Sequence, residues 1–277
     1  MISVSKKLSV IAAAGLVLVL LCAGCGNYSV RIANEDVDIR TTDLSLYCKE
    51  LSAKDIDNLQ YLTRLEELDL TGTPISDLRP LAGLTELRVL NLYSTKVSDL
   101  SPLSELTKLE TLVLEGTEVA DLTPLAGLTA LKELNLYNCY MVEDLSPLQG
   151  LTNLERLNIS NTGAPDISPL SGMKKLTYLN MAPMEVKDLT PLAGLSELDS
   201  LYLSSPDADD LSPLSGLTEM VNLQLHADET GDLKPLYSMS RLKKLFIEGP
   251  GYNEEEIHAL EEAIPGLTVY LPDMEGI

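Results

Sequence analysis

Between residues 62 and 238 the apolar positions return on a fixed period of 22 residues. The first unit reads LTRLEELDLTGTPISDLRPLAG, and later copies begin at Leu84, Leu106, Leu128, Leu151, Met173, Leu195 and Leu217. The fourth copy carries one extra residue. With the slots of the unit numbered 1 to 22, slots 1, 4, 7, 9, 14, 17 and 20 are apolar in nearly every copy. Slot 16 is Asp and slot 19 is Pro in all eight. Self-similarity at a short period is the mark of a solenoid, in which each unit buries its apolar face against its neighbours.

The unit has two halves. Slots 6 to 10 alternate, as in Glu67-Leu68-Asp69-Leu70-Thr71. This predicts a short strand with slots 7 and 9 facing the core and slots 6, 8 and 10 facing out. The other half reads as Asp99-Leu100-Ser101-Pro102-Leu103. Ser or Thr stands in slot 18 in six of eight copies and reads as an N-cap, with Pro preorganised for the first helical position. The remaining span is too short for an α-helix, so a 3₁₀ turn is expected. The fold class predicted is an α/β solenoid shaped as a horseshoe. Parallel β-strands line its concave face, and 3₁₀ or short turns its convex face.

The ends depart from the repeat, as terminal units must where the core meets water. Residues 25–43 read as a tether and N-terminal cap, and 44–61 as a degenerate first copy. There Ser52 caps a short helix over 53–61, with Asp55 in a capping box. Residues 239–277 start as a ninth copy and become a C-terminal cap. Asn253 caps a helix running to about Ile264, Glu256 stands in capping-box position, and LTVYL at 267–271 forms a last strand.

Charge narrows the partners. Against 20 Lys and Arg stand 42 Asp and Glu, a formal charge of −22. That excludes nucleic acid, whose phosphates need cations, and fits a basic protein ligand. The N-terminus carries targeting features. Lys6 and Lys7 precede an apolar run from Val10 to Leu21, too short to span a bilayer. Leu21-Cys22-Ala23-Gly24-Cys25 follows and resembles the lipobox of bacterial lipoproteins, with Cys25 the lipidated residue and 1–24 the signal peptide. The resemblance implies a lipid-anchored, extracytoplasmic protein at the cell membrane. Cys22 holds the place usually taken by Leu, and a plain secretory signal is the alternative. Cys48 and Cys139 lie four coils apart, about 19 Å at strand spacing, too far for a disulfide.

The repeated phrase, with its D-L-S-P-L segment, resembles the leucine-rich repeat family and is most similar to the internalin type of bacterial surface protein. The resemblance covers about 44–271 and implies protein binding on the concave strand face without chemistry there. It departs in slot 12, where the family's Asn is replaced by Thr73, Thr95, Thr117, Cys139, Thr162, Met184, Pro206 and Asp228. The last three copies are therefore expected to be looser at that turn. The immunoglobulin-like module and sortase anchor of internalins are not seen, so a role in host invasion is not implied.

Function is expected in the slots where the copies differ. The concave-face candidates are Tyr93, Glu115, Glu133, Tyr137, Arg156, Tyr178, Tyr202, His226, Lys244 and Phe246. Tyr93 and Tyr137 flank Glu115, and Tyr178, Tyr202, His226 and Phe246 are expected to form a diagonal. The slot-16 aspartates read as acceptors for backbone N–H groups at the turn. An acidic patch of Asp207, Asp209, Asp210, Asp228, Glu229 and Asp232 reads as solvated loop, with Ca²⁺ as the sharper alternative. No nucleophile elbow, Walker A loop or zinc-ligand pair is present, so an enzyme is not expected, nor a cofactor. The expectation is a monomeric module that binds a protein. The alternative is a structural or adhesive envelope protein contacting cell-wall or host glycans.

Overall fold

The computed structural model describes residues 28–204, 210–226, 232–248 and 253–271. The signal segment and Cys25 lie outside the described residues, as does most of the acidic patch. Two strands, β1 (Ser29–Ile32) and β2 (Glu35–Asp38), form an antiparallel hairpin. An 11-stranded parallel sheet follows in strict sequence order. Its strands are β3 (Asp43–Ser45), β4 (Glu67–Asp69), β5 (Val89–Asn91), β6 (Thr111–Val113), β7 (Glu133–Asn135), β8 (Arg156–Asn158), β9 (Tyr178–Asn180), β10 (Ser200–Tyr202), β11 (Asn222–His226), β12 (Lys244–Glu248) and β13 (Thr268–Tyr270).

Each strand pairs slot for slot with the next: Leu68 opposite Leu90, Leu90 opposite Leu112, Leu134 opposite Leu157. The sequence period is thus the physical repeat. Slots 7 and 9 enter the core, and Leu90, Leu92, Leu112 and Leu114 are fully buried. Slots 17 and 20 close it from the other side, as Leu100 and Leu103 do. The degenerate first copy keeps this register, with Leu44 opposite Leu68.

Within the stretch read as tether and N-terminal cap, residues 29–38 form this hairpin. Ala33 and Asn34 both take positive φ, 50° and 67°, as a two-residue turn matched to strand twist requires. The hairpin packs on α1 (Ala53–Asn58), whose Ser52–Asp55 capping box is present. Asp55 Oδ1 also accepts the Ala33 N–H at 2.9 Å. At the other end, α2 (Glu254–Ala263) buries Ile257 and Leu260. Its cap is the Asn253 side chain, which accepts from the Glu255 N–H at 2.9 Å.

Slot 11 turns the chain out of each strand. Gly72, Ser94, Gly116, Asn138 and Asn161 all take left-handed φ of 55–67° there, and Cys48 takes 51° in the first copy. Glycine and asparagine tolerate this conformation best. Pro183, with φ fixed negative, fills the slot in the sixth copy, where the Ala182–Pro183 bond is cis. In slot 12, the Thr73, Thr95 and Thr117 hydroxyls donate to the slot-9 carbonyls of Leu70, Leu92 and Leu114 at 2.6–2.8 Å. Cys139 is buried and its thiol donates to the Leu114 carbonyl at 3.1 Å. Pro206 and Asp228 lie outside the described residues.

The convex turns are 3₁₀, with one correction. Slot 18 is the first turn residue, not the cap: Ser101–Leu103 is helical and Leu100 precedes it without a side-chain cap bond. Slot 16 serves instead. All eight aspartates accept the N–H of the residue two positions on, at 2.8–2.9 Å. Hydroxyl and N–H donation from Ser101, Thr123, Thr190 and Ser212 holds Asp99, Asp121, Asp188 and Asp210 below the usual carboxylate range. A depressed folded pKa stabilises the fold above the unfolded value, about 3.9, and the stabilisation is lost as pH falls through the folded value. Relief of the net negative charge opposes this in the same window. We therefore expect Asp121→Asn to lower the urea midpoint at pH 7. The gap to the parent chain should close as pH falls through the folded carboxylate value. A gap that stays constant with pH would refute the assignment.

Candidate functional site

The open face of the sheet is a grid set by strand register. In slot 6 it runs Glu67, Val89, Thr111, Glu133, Arg156, Tyr178, Ser200, Asn222, Lys244. In slot 8 it runs Asp69, Asn91, Val113, Asn135, Asn158, Asn180, Tyr202, Gln224, Phe246.

Part of slot 8 is structural. Oδ1 of Asp69, Asn91, Asn135, Asn158 and Asn180 each accepts the N–H two residues on, at 3.0–3.1 Å. This ladder closes the end of each strand and fixes each asparagine amide with its Nδ2 pointing away from that bond.

The centre of the face is preordered. Arg156 lies over the Tyr178 ring with its guanidinium carbon 4.2 Å from the centroid. Tyr178 meets Tyr202 at 5.6 Å between centroids, tilted by 47°. Glu133 stands 3.8 Å from Arg156 Nε. Burial pushes the Tyr178 hydroxyl above its ordinary pKa, against the hydrogen bond with Asn180. Glu133, Arg156, Tyr178 and Tyr202 thus form one continuous row across four strands.

The other candidates fall elsewhere on the face. Tyr93 is 42% exposed, two coils before Tyr137. Glu115, between them, accepts from Asn135 Nδ2 at 2.9 Å. Lys244 is exposed, opposite Asn222. Of His226 only the backbone position, opposite Glu248, is described. Phe246 does not continue the Tyr178–Tyr202 contact, because Gln224 occupies the strand between. It stacks instead on Tyr270, 4.4 Å apart and 10° from parallel. Among the described side chains, the expected diagonal is interrupted between Tyr202 and Phe246. Tyr270 was missed, although LTVYL places it in slot 8 of a last strand. Also missed was slot 5, where charges alternate up the rim: Glu66, Arg88, Glu110, Lys132. Arg88 and Lys132 hold Glu110 from both sides at 2.7 and 2.5 Å.

Two depressions flank the row. One, about 290 Å³, lies on the concave face between Tyr137 and Tyr202, floored by Asn158, Ser160 and Asn180. The other, about 620 Å³, lies over the rim and is lined by Gly163, Pro165, Met184 and Glu185. Pro183 walls both. Among the described residues no group of three or more His, Cys, Asp and Glu is placed to hold a metal. Nor, among them, is any helix long and apolar enough to cross a membrane.

This architecture is a leucine-rich-repeat solenoid, a fold that typically serves as a non-enzymatic scaffold for protein–protein interaction. Residues 85–172 match the family model for leucine-rich repeats (2 copies) in three overlapping segments. Among solved structures the chain is similar to an internalin (inlF) from Listeria monocytogenes. Identity is 25% and the TM-score 0.65, covering 87% of this chain and 86% of that one. It is also similar to internalin C2 (inlC2) from the same organism, at 28% identity and a TM-score of 0.58 over 77% and 85% of the two chains. A leucine-rich-repeat protein of Leptospira interrogans shares the fold at 18% identity and a TM-score of 0.63, over 77% and 62%. A search of curated protein sequences found no match.

Proposed function

We propose that this chain is a lipid-anchored, extracytoplasmic binding module that recognises a protein ligand on its concave strand face. The observation that carries this reading is the row Glu133–Arg156–Tyr178–Tyr202. Aromatic and arginine side chains dominate binding energy at protein interfaces. Here they are held in place before any ligand arrives, which lowers the entropy lost on binding. The fold's usual role and the likeness to two internalins support it. A net charge of −22 favours a basic partner. The lipobox ending at Cys25 supports the anchor.

The test is capture of surface or secreted proteins on immobilised chain 26–277, which keeps both caps. Captured proteins are identified and compared between the parent chain and two variants. Arg156→Glu should lose the ligand, and Met141→Ala, on an exposed loop, should keep it. Equal capture by both variants would remove the concave face from the reading. For the anchor, Cys25→Ser should move the protein from the membrane fraction to the soluble one. Retention of the variant on the membrane would overturn that part alone.

A further inference from the structure

We propose that the concave cavity between Tyr137 and Tyr202 is a saccharide site that takes one or two neutral pyranose units. The proposal rests on the concave face being the binding face, but it assigns a ligand of another class. It starts from charge. Charged residues make up 22% of the chain, and Glu133 and Arg156 stand on the same face in slot 6 of β7 and β8. The described lining of the cavity contains none: it is tyrosine, asparagine, serine, glutamine, alanine and proline. A charged ligand group would find no counter-ion there, and a neutral polar one leaves no buried charge unpaired.

The shape excludes a single small side chain. Tyr137 belongs to the coil of β7 and Tyr202 to β10, three strand spacings away, or about 14 Å. The volume, about 290 Å³, is at the low end for ligand pockets. Such a space between two phenol rings suits a flat ring system better than one extended amide or hydroxyl group.

The polar groups match a pyranose. Asn158 Oδ1 is committed to the Ser160 N–H at 3.1 Å, and its Nδ2 has no partner among the described residues. The amide therefore presents donors to the cavity in a fixed orientation. On the adjacent strand, Asn180 Oδ1 is held in the same way by the Ala182 N–H, and its side chain also bonds the Tyr178 hydroxyl. The Ser160 hydroxyl is buried and donates to the Ala182 carbonyl, so the acceptors for a sugar are the Tyr137 and Tyr202 hydroxyls, which can also donate. Sugar hydroxyls donate and accept at once, so they use both kinds of group. The C–H face of the ring needs apolar surface, which Pro183, Ala182 and the tyrosine rings supply. Tyr202 is already held by Tyr178, itself under Arg156. A platform of this kind loses little freedom when a ring settles on it.

The experiment uses ¹⁵N-labelled chain 26–277 titrated with chitotetraose, cellotetraose and maltotetraose, with oligogalacturonate as a charged control. A small ligand on a site of this size should bind with a dissociation constant on the order of 1 mM. The side-chain amide signals of Asn158 and Asn180 should shift with at least one neutral oligomer and not with oligogalacturonate. Tyr202→Ala and Asn158→Ala should each weaken binding about tenfold or more. Met141→Ala should not, and circular dichroism should show all variants folded. Unmoved amide signals with every neutral oligomer at about 10 mM, ten times that constant, would overturn the proposal. So would shifts confined to residues elsewhere. Loss of protein capture by Tyr202→Ala with those signals unmoved would assign the cavity to a protein surface, against the saccharide. Saccharide binding without any captured protein would remove the protein ligand and leave this site standing.

Discussion

Leu157→Ala is expected to destabilise the solenoid by about 2–5 kcal/mol, the usual range for a buried leucine whose cavity cannot collapse. Leu157 is fully buried in β8, between Leu134 and Leu179 in the same slot of the flanking strands. Both neighbours are held by their own coils, so the site cannot close from either side along the stack. The loss also falls in the middle of the array. Each repeat in a solenoid contacts only its neighbours, so a weak central coil weakens coupling between the two halves. Urea unfolding followed by circular dichroism should show a lower midpoint and a broader transition than the parent chain. Met141→Ala is the control: its side chain is 61% exposed, and its change should stay within about 0.5 kcal/mol. A shift for Leu157→Ala no larger than the control's would mean that the strand-side leucines are not close-packed.

That prediction lies on a part of the fold the sequence displayed openly. Slots 7, 9, 17 and 20 carry leucine because coil after coil imposes one environment, and the period repeats it often enough to be unmistakable. The hairpin at 29–38 was hidden because it occurs once, and its turn, Ala33-Asn34, lacks the glycine that usually marks one. The slot-16 aspartates were legible as backbone acceptors, but their exact partner was not. Six serines and threonines beside proline looked like caps, and only the backbone shows that the turn starts on them. The concave face was legible as a list and not as a surface. Periodicity says which residues point out, whereas contact depends on side-chain length and lateral offset. Arg156 reaches the Tyr178 ring one strand away, and Tyr178 reaches Tyr202 in a different slot of the next. Phe246 instead turns to Tyr270 in the capping strand. The amide ladder of slot 8 was equally hidden, since an outward asparagine looks like ligand surface until its Oδ1 is seen holding the N–H two residues on.

The largest effect on binding is expected at Tyr202. Tyr202→Ala should lower affinity for a captured protein ligand at least about 30-fold, the equivalent of about 2 kcal/mol for a central aromatic anchor. The argument is positional. Tyr202 ends the stacked row, faces the concave cavity and is half-buried before binding. Its removal takes away contact area and also one of the contacts that hold Tyr178. Arg156→Lys keeps the charge but gives up the planar group over the Tyr178 ring, so it should cost less, about three- to tenfold. Glu133→Gln removes a partner 3.8 Å from Arg156 Nε. Exposed pairs of this kind contribute little, so its effect should stay within about threefold. The Phe246–Tyr270 stack provides the internal comparison, because it is equally aromatic and lies at the C-terminal end of the same face. If the ligand centres on the middle of the sheet, Phe246→Ala should change affinity less than Arg156→Lys does. A larger loss from Phe246→Ala than from Tyr202→Ala would place the binding centre on the last strands and remove the preordered row from the recognition site.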